Sequence, residues 1–211
     1  MARSRSVLAA LPLLLIALAA LAASAPAAPI PEELKAPVLY FPTKVGARWT
    51  YVWSSPAKRT GGEEVVEAVT AVEEGKEGTK VVTVSRVPRP GYPRPVRWYE
   101  VSARGVYLAC EPDSPHEALF RVPRWVLKLP HRPGQTWDDG AAGRPTRMSA
   151  HGPEEVEVPA GRFRVLRVEY LWPGDAEPTL TEWLAPGVGR VKTRGWHGIG
   201  QDLKAFNPPK D

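Results

Sequence analysis

The 211-residue chain has one cysteine, Cys110, and only four histidines. A single thiol excludes an intramolecular disulfide framework and any multi-cysteine zinc or iron-sulfur site, because each needs several sulfurs brought together. His116, His131, His151 and His197 are scattered, with no His-Glu-x-x-His and no His-x-His pair to place two imidazoles on one metal. No Gly-x-Ser-x-Gly is present, and no serine has a neighbouring catalytic signature. No cofactor is expected. Long apolar runs are also missing after the first two dozen residues, since charges or prolines interrupt every later one, so no later segment spans a membrane.

What is present begins with an export signal. Arg3 and Arg5 precede an apolar run from Val7 to Leu21, and small residues follow from Ala22 to Ala28. That order is the pattern of a secretory signal peptide over residues 1–27, and the run is shorter than the roughly 20 residues a bilayer core requires. The expected location is periplasmic or secreted. Cleavage removes two arginines and no acid, which leaves 26 basic against 23 acidic residues. This excess is too small for nucleic-acid binding, which calls for a concentrated basic stripe. Cys110, two residues after Leu108 and four after Val106, reads as a small buried apolar side chain near a strand end.

Residues 28–38 are rich in Pro and Ala and read as a tether, residues 39–206 as one antiparallel β domain, and 207–211 as a tail. Within the domain, turn residues bound short runs rich in Val, Thr, Tyr and Trp. In the first half these are Ala47 to Ser54, Glu63 to Val72, Thr79 to Val87, Val96 to Ala103 and Gly105 to Cys110. In the second half they are Gln135 to Asp138, Thr146 to Ala150, Glu155 to Val158, Arg162 to Leu171, Thr179 to Leu184 and Arg190 to Arg194. Val65, Val66, Val69 and Val72 could also form a helical stripe, but their β-branching favours a strand. In Arg162 to Leu171 the apolar set changes phase between Val165 and Leu166, which predicts a bulge or a strand covered on both sides. Only Pro115 to Leu129 leaves room for a helix, and three prolines cut it short.

The two halves superimpose as sequence. Phe41-Pro42-x-Lys44-x-Gly46-x-x-Trp49 parallels Leu129-Pro130-x-Arg132-x-Gly134-x-x-Trp137, Gly78 parallels Gly161, Trp98 parallels Trp183, and Gly105-Val106 parallels Gly187-Val188. Offsets from 82 to 88 residues suggest an internal duplication of a roughly four-stranded unit, with repeats near 40–110 and 128–195. The expected fold is mainly β, a curved antiparallel sheet that is half-barrel or sandwich-like.

Eight tryptophans are many for a chain without disulfides. Trp49, Trp137 and Trp183, at the duplicated landmarks, read as core; Trp53, Trp125, Trp172 and Trp196 read as candidate lining of a concave, ligand-binding face for an apolar or lipid-like molecule. Arg86, Arg89, Arg94 and Arg97 share a proline-rich connection and read as a cationic surface that could meet a partner in the envelope. The acidic stretch Glu111 to Glu117 and the pair Asp138-Asp139 read as solvated turns. Three function classes follow: a non-enzymatic envelope protein that binds such a ligand, a structural or assembly partner, and a hydrolytic or glycan-processing enzyme built on Asp138, Asp139, Glu182 and His197. The enzyme would use some of those four side chains, and their convergence in one pocket favours it; a cavity lined only by Trp, Val and Leu favours binding, and an exposed apolar patch without a cavity favours the structural role.

Three segments also carry a resemblance: Phe41 to Tyr51, Val158-Pro159-Ala160-Gly161-Arg162-Phe163, and Trp183 to Lys192, with its Ala185-Pro186-Gly187-Val188-Gly189 core. Together they resemble a group of exported bacterial β-domain proteins of no established activity. The resemblance implies a curved antiparallel sheet similar to periplasmic lipoprotein-carrier folds, and it carries over no catalytic residue.

Overall fold

The structure is a computed structural model that describes residues 38–54, 62–87, 96–110, 123–139 and 145–209. The signal and tether segments, Arg89, Arg94, the Glu111 to Glu117 stretch and the side chain of Cys110 lie outside the described residues. Twelve strands form one antiparallel sheet. The first six are β1 (Arg48–Ser54), β2 (Glu64–Glu74), β3 (Lys80–Arg86), β4 (Val96–Ser102), β5 (Gly105–Cys110) and β6 (Arg124–Lys128). The second six are β7 (Thr136–Asp138), β8 (Arg147–Val158), β9 (Gly161–Leu171), β10 (Leu180–Ala185), β11 (Gly189–Gly195) and β12 (Gly200–Asn207). No α-helix occurs among the described residues.

The strand order, β6-β5-β4-β3-β2-β1-β12-β11-β10-β9-β8-β7, describes two six-strand meanders joined at their ends by the β1–β12 pair. The sequence landmarks occupy matching strands: Trp49 in β1 and Trp137 in β7, Trp98 in β4 and Trp183 in β10. Each unit has six strands rather than about four. The counterpart of Gly105, which opens β5, is Gly189, which opens β11, not Gly187. The sequence landmarks mark out fewer strands because β6 lies in the proline-broken stretch and β12 (GQDLKAFN) mixes Gln, Asp and Lys into its apolar positions. Thr146 to Ala150 and Glu155 to Val158 are likewise two ends of one strand, β8.

The sheet curls until it is nearly closed, with a seam between its edge strands β6 and β7. No ladder joins them, yet side chains cross the gap. Trp137 Nε1 donates to the Trp125 carbonyl at 2.9 Å, and the Arg124 guanidinium of β6 lies 6.0 Å from the ring centre of Tyr170 in β9. Edge strands of three and five residues also leave little unpaired backbone for a second chain to extend.

Side chains alternate inward and outward, and the inward set makes the core: Trp49, Tyr51, Val69, Val82, Val101, Leu127, Met148, Val168 and Leu203 are all buried. The phase change in β9 is resolved on its partner. Gly152 and Pro153 of β8 together oppose Leu166 alone, so this bulge lets Val165 and Leu166 both be buried. The segment before β1 closes one end, where Phe41 packs 5.5 Å from Trp49 and 4.6 Å from Tyr99, and Trp49 Nε1 donates to the Val188 carbonyl at 2.7 Å. Trp183, expected in the core, lies half-buried on the outer face, where its Nε1 donates to Glu154 Oε1 at 2.7 Å.

Two glycines test this geometry. Gly187 has φ +70° in the turn before β11 with open space around it, whereas a Cβ on Gly105 (φ +129°) would collide with the Leu127 carbonyl across the β5–β6 pair. Gly187→Ala should cost about 1 kcal/mol and Gly105→Ala distinctly more in urea unfolding. Equal midpoints for the two variants would contradict the close approach of β5 and β6.

Candidate functional site

In a meander every odd-numbered strand runs the same way, so Ser54, Arg86, Cys110, Asp138, Leu171 and Gly195 end at one mouth of the curled sheet. The opposite end is filled by Phe41, Trp49 and Leu184. Between them lies a cavity of about 240 Å³. Its walls include Val84, Val106, Leu108 and Val126, and Trp53, Leu180, Ile199 and Gln201 stand toward the mouth.

The cavity is not uniformly apolar. Glu67 follows Val65 and precedes Val69 on the inward side of β2, and only 7% of its side chain is exposed. Three guanidiniums from three other strands reach it. Arg97 Nη1 of β4 lies 3.2 Å from Oε1, Arg86 Nη2 of β3 lies 3.4 Å from the same oxygen, and Arg190 Nη2 of β11 lies 3.2 Å from Oε2. Arg190 also faces Glu182 of β10, 3.6 Å from Oε1, and its guanidinium carbon lies 5.1 Å from the ring centre of Tyr51. The Tyr170 hydroxyl donates to Glu182 Oε2 at 2.7 Å, and the Tyr51 hydroxyl donates to the Arg190 carbonyl at 2.9 Å.

Burial alone would push the Glu67 carboxyl up, but Arg97, Arg190 and Arg86 outweigh it and hold it below the ordinary carboxylate range. Burial raises the hydroxyls of Tyr51, Tyr99 and Tyr170, helped at Tyr170 by the charge of Glu182, so all three stay neutral. Among the described lining residues, four arginines (Arg86, Arg97, Arg124, Arg190) face two carboxylates (Glu67, Glu182).

The sequence-derived site residues divide. Trp53 lines the cavity near its mouth and is 41% exposed. Trp125 is half-buried against the core, edge-on to Tyr107 at 5.4 Å and beside the seam. Trp172 and Trp196 contact each other at 5.3 Å beyond the last turn of β9, outside the cavity lining. Arg86 and Arg97, read as part of an outer cationic loop, are strand residues that point into the cavity. The four acid-base candidates do not converge: Glu182 is in the cavity, whereas Asp138 ends β7, Asp139 follows it, and His197 sits exposed in the β11–β12 turn. Sequence reading passed over Glu67, Arg190, Tyr51 and Tyr99. The usable signal was parity, because Val65-x-Glu67-x-Val69 and Val82-x-Val84-x-Arg86 each place a charge on the face that otherwise carries valines.

No protein-family model matches the sequence, and no curated protein matches it. Two solved structures do match. One is a crystal structure of a candidate lipoprotein from Parabacteroides distasonis, 14% identical, covering 81% of this chain and 99% of that one with a TM-score of 0.48. The other is a candidate exported protein with a YmcC-like fold from Bacteroides fragilis, 16% identical over the same shares, with a TM-score of 0.52. This chain shares the fold of that exported protein.

The Glu67 cluster yields an acid-stability prediction. A depressed carboxyl contributes stability that is fully present above the unfolded value of about 4.3 and is lost as pH falls through the lower folded value. Glu67→Gln should lose about 3 kcal/mol at pH 7, because it removes the buried counter-charge that three guanidiniums share. The gap from the parent should shrink as pH falls below about 4. Urea unfolding at pH 7 and pH 3 checks this, and a gap that does not change with pH would contradict the assignment.

Proposed function

We propose that the chain is an exported, non-enzymatic envelope protein that binds an apolar or lipid-like ligand in the lumen of its curled sheet. The cavity carries this reading: a folded core of this size would ordinarily pack to the density of an organic crystal, yet here about 240 Å³ stays open behind a mouth lined by Trp53, Leu180 and Ile199. Residues 1–27 support the export part of the proposal through their charged start, apolar run and small-residue end. The description of the Bacteroides fragilis structure as a candidate exported protein agrees with that part. Trp53 contacts the ligand directly in this proposal. Trp172 and Trp196 form an apolar step beside the mouth, where Trp196 is 56% exposed, and a membrane-associated donor or envelope partner would meet that step.

The test is native mass spectrometry of the chain from about residue 28 onward, isolated gently from the envelope of the producing bacterium. A discrete extra mass that disappears on denaturation is expected, and Leu108→Trp, which projects a larger side chain into the cavity, should abolish it. A bare mass for the parent protein would contradict the proposal.

A further inference from the structure

Four arginines in the lining of one small cavity are more than the architecture needs. Burying a charge is costly unless it is paired, and replacing a buried ion cluster by apolar residues is often neutral or stabilising. Stability alone therefore does not account for drawing Arg86, Arg97 and Arg190 onto the single carboxylate of Glu67. The cluster also has unused donors. Nε of Arg86 and Nε of Arg190 are buried without a hydrogen-bond acceptor among the described residues. Both belong to guanidiniums that line the cavity, and the planar fork of such a group suits the oxygens of a carboxylate or phosphate.

We propose that the guanidiniums around Glu67 seat an anionic headgroup, so that the ligand of the lumen is a single-chain amphiphile carrying a carboxylate or another oxyanion. This rests on the lumen-binding reading above and narrows it. Size argues for one chain. The cavity equals about eight waters at roughly 30 Å³ each, below the ~300 Å³ at which drug-sized pockets begin. It takes a headgroup and a few carbons, and the rest of the chain leaves between Trp53, Leu180 and Ile199, whose apolar surfaces line the way out. A second acyl chain has no room. A cationic head has no acceptor to offer the Nε–H groups of Arg86 and Arg190, and a neutral oxygen would accept from them only as an uncharged, weaker partner than an oxyanion.

The experiment compares four dodecyl probes, each below its micelle concentration, by calorimetric titration of the full mature chain: dodecanoate, dodecyl phosphate, dodecyltrimethylammonium and dodecyl maltoside. At least one of the two anionic probes should bind about tenfold or more tighter than the cationic and non-ionic ones, and which one does so separates a fatty acid from a phosphate ester. Raising the salt concentration should narrow that preference. Arg86→Gln keeps Glu67 paired with Arg97 and Arg190, its side chain being the most exposed of the three, and should lower the anionic-to-non-ionic ratio about tenfold with an unchanged near-UV spectrum. Equal affinity for anionic and cationic chains, or a ratio untouched by Arg86→Gln, would overturn the headgroup seat while leaving lumen binding intact. Inorganic phosphate bound as tightly as dodecyl phosphate would also overturn it, in favour of a free-oxyanion site. Binding of none of the probes would count against both this inference and the lumen reading.

Discussion

The carboxylate of Glu67 is the point on which the interior of this protein turns. It lies on β2 of the first meander, and its Arg190 contact comes from β11 of the second, so one buried ion pair bridges the two halves over the inner faces of β1 and β12. Arg86 and Arg97 bind it from β3 and β4, and Arg190 continues to Glu182 on β10. Five strands thus share one electrostatic cluster. Because charges resist being pressed into an apolar core, the cluster also explains why the middle of the curled sheet stays open while its closed end packs tightly around Phe41, Trp49 and Tyr99.

The strand order makes that cluster possible. Two meanders laid side by side meet at β1–β12, in the centre of the sheet, and their free ends, β6 and β7, meet only through the Trp137 to Trp125 bond and the Arg124–Tyr170 contact. The sheet is therefore continuous where it carries Tyr51 and Arg190 and discontinuous on the far side. A curled sheet with one open seam can adjust its circumference more easily than a fully hydrogen-bonded barrel, which suits the lumen binding proposed above.

Much of the fold was legible in the sequence because strands with one buried face alternate. β1 to β5 and β7 to β11 show that alternation, and Gly161 and Gly187 mark their turns with φ of +122° and +70°. The bulge of β8 was foreshadowed by the slipped phase of its neighbour β9. β12 escaped because a bulge opposite Thr50 and Tyr51 breaks its period, so Leu203 and Phe206 sit three apart rather than two or four. The site was less legible. Tryptophan count directed attention to Trp53, which is at the mouth, but also to Trp172 and Trp196, which are outside the lining. Arg86 and Arg97 were picked out for the loop between them, when what matters is their inward parity on β3 and β4. That Glu67, Arg97 and Arg190 meet at all depends on strand neighbours up to 123 residues apart, which local pattern cannot give.

A double-mutant cycle on Glu67 and Arg190 tests the central claim most directly, since these two residues connect the meanders over the inner faces of β1 and β12. Unfolding free energies of the parent, Glu67→Gln, Arg190→Gln and the double variant should give a coupling of about 2 kcal/mol, with the double variant no worse than either single one. A coupling within about 0.5 kcal/mol of zero would mean that the two charges do not share a buried site, and the account of a charged, open lumen would fall with it.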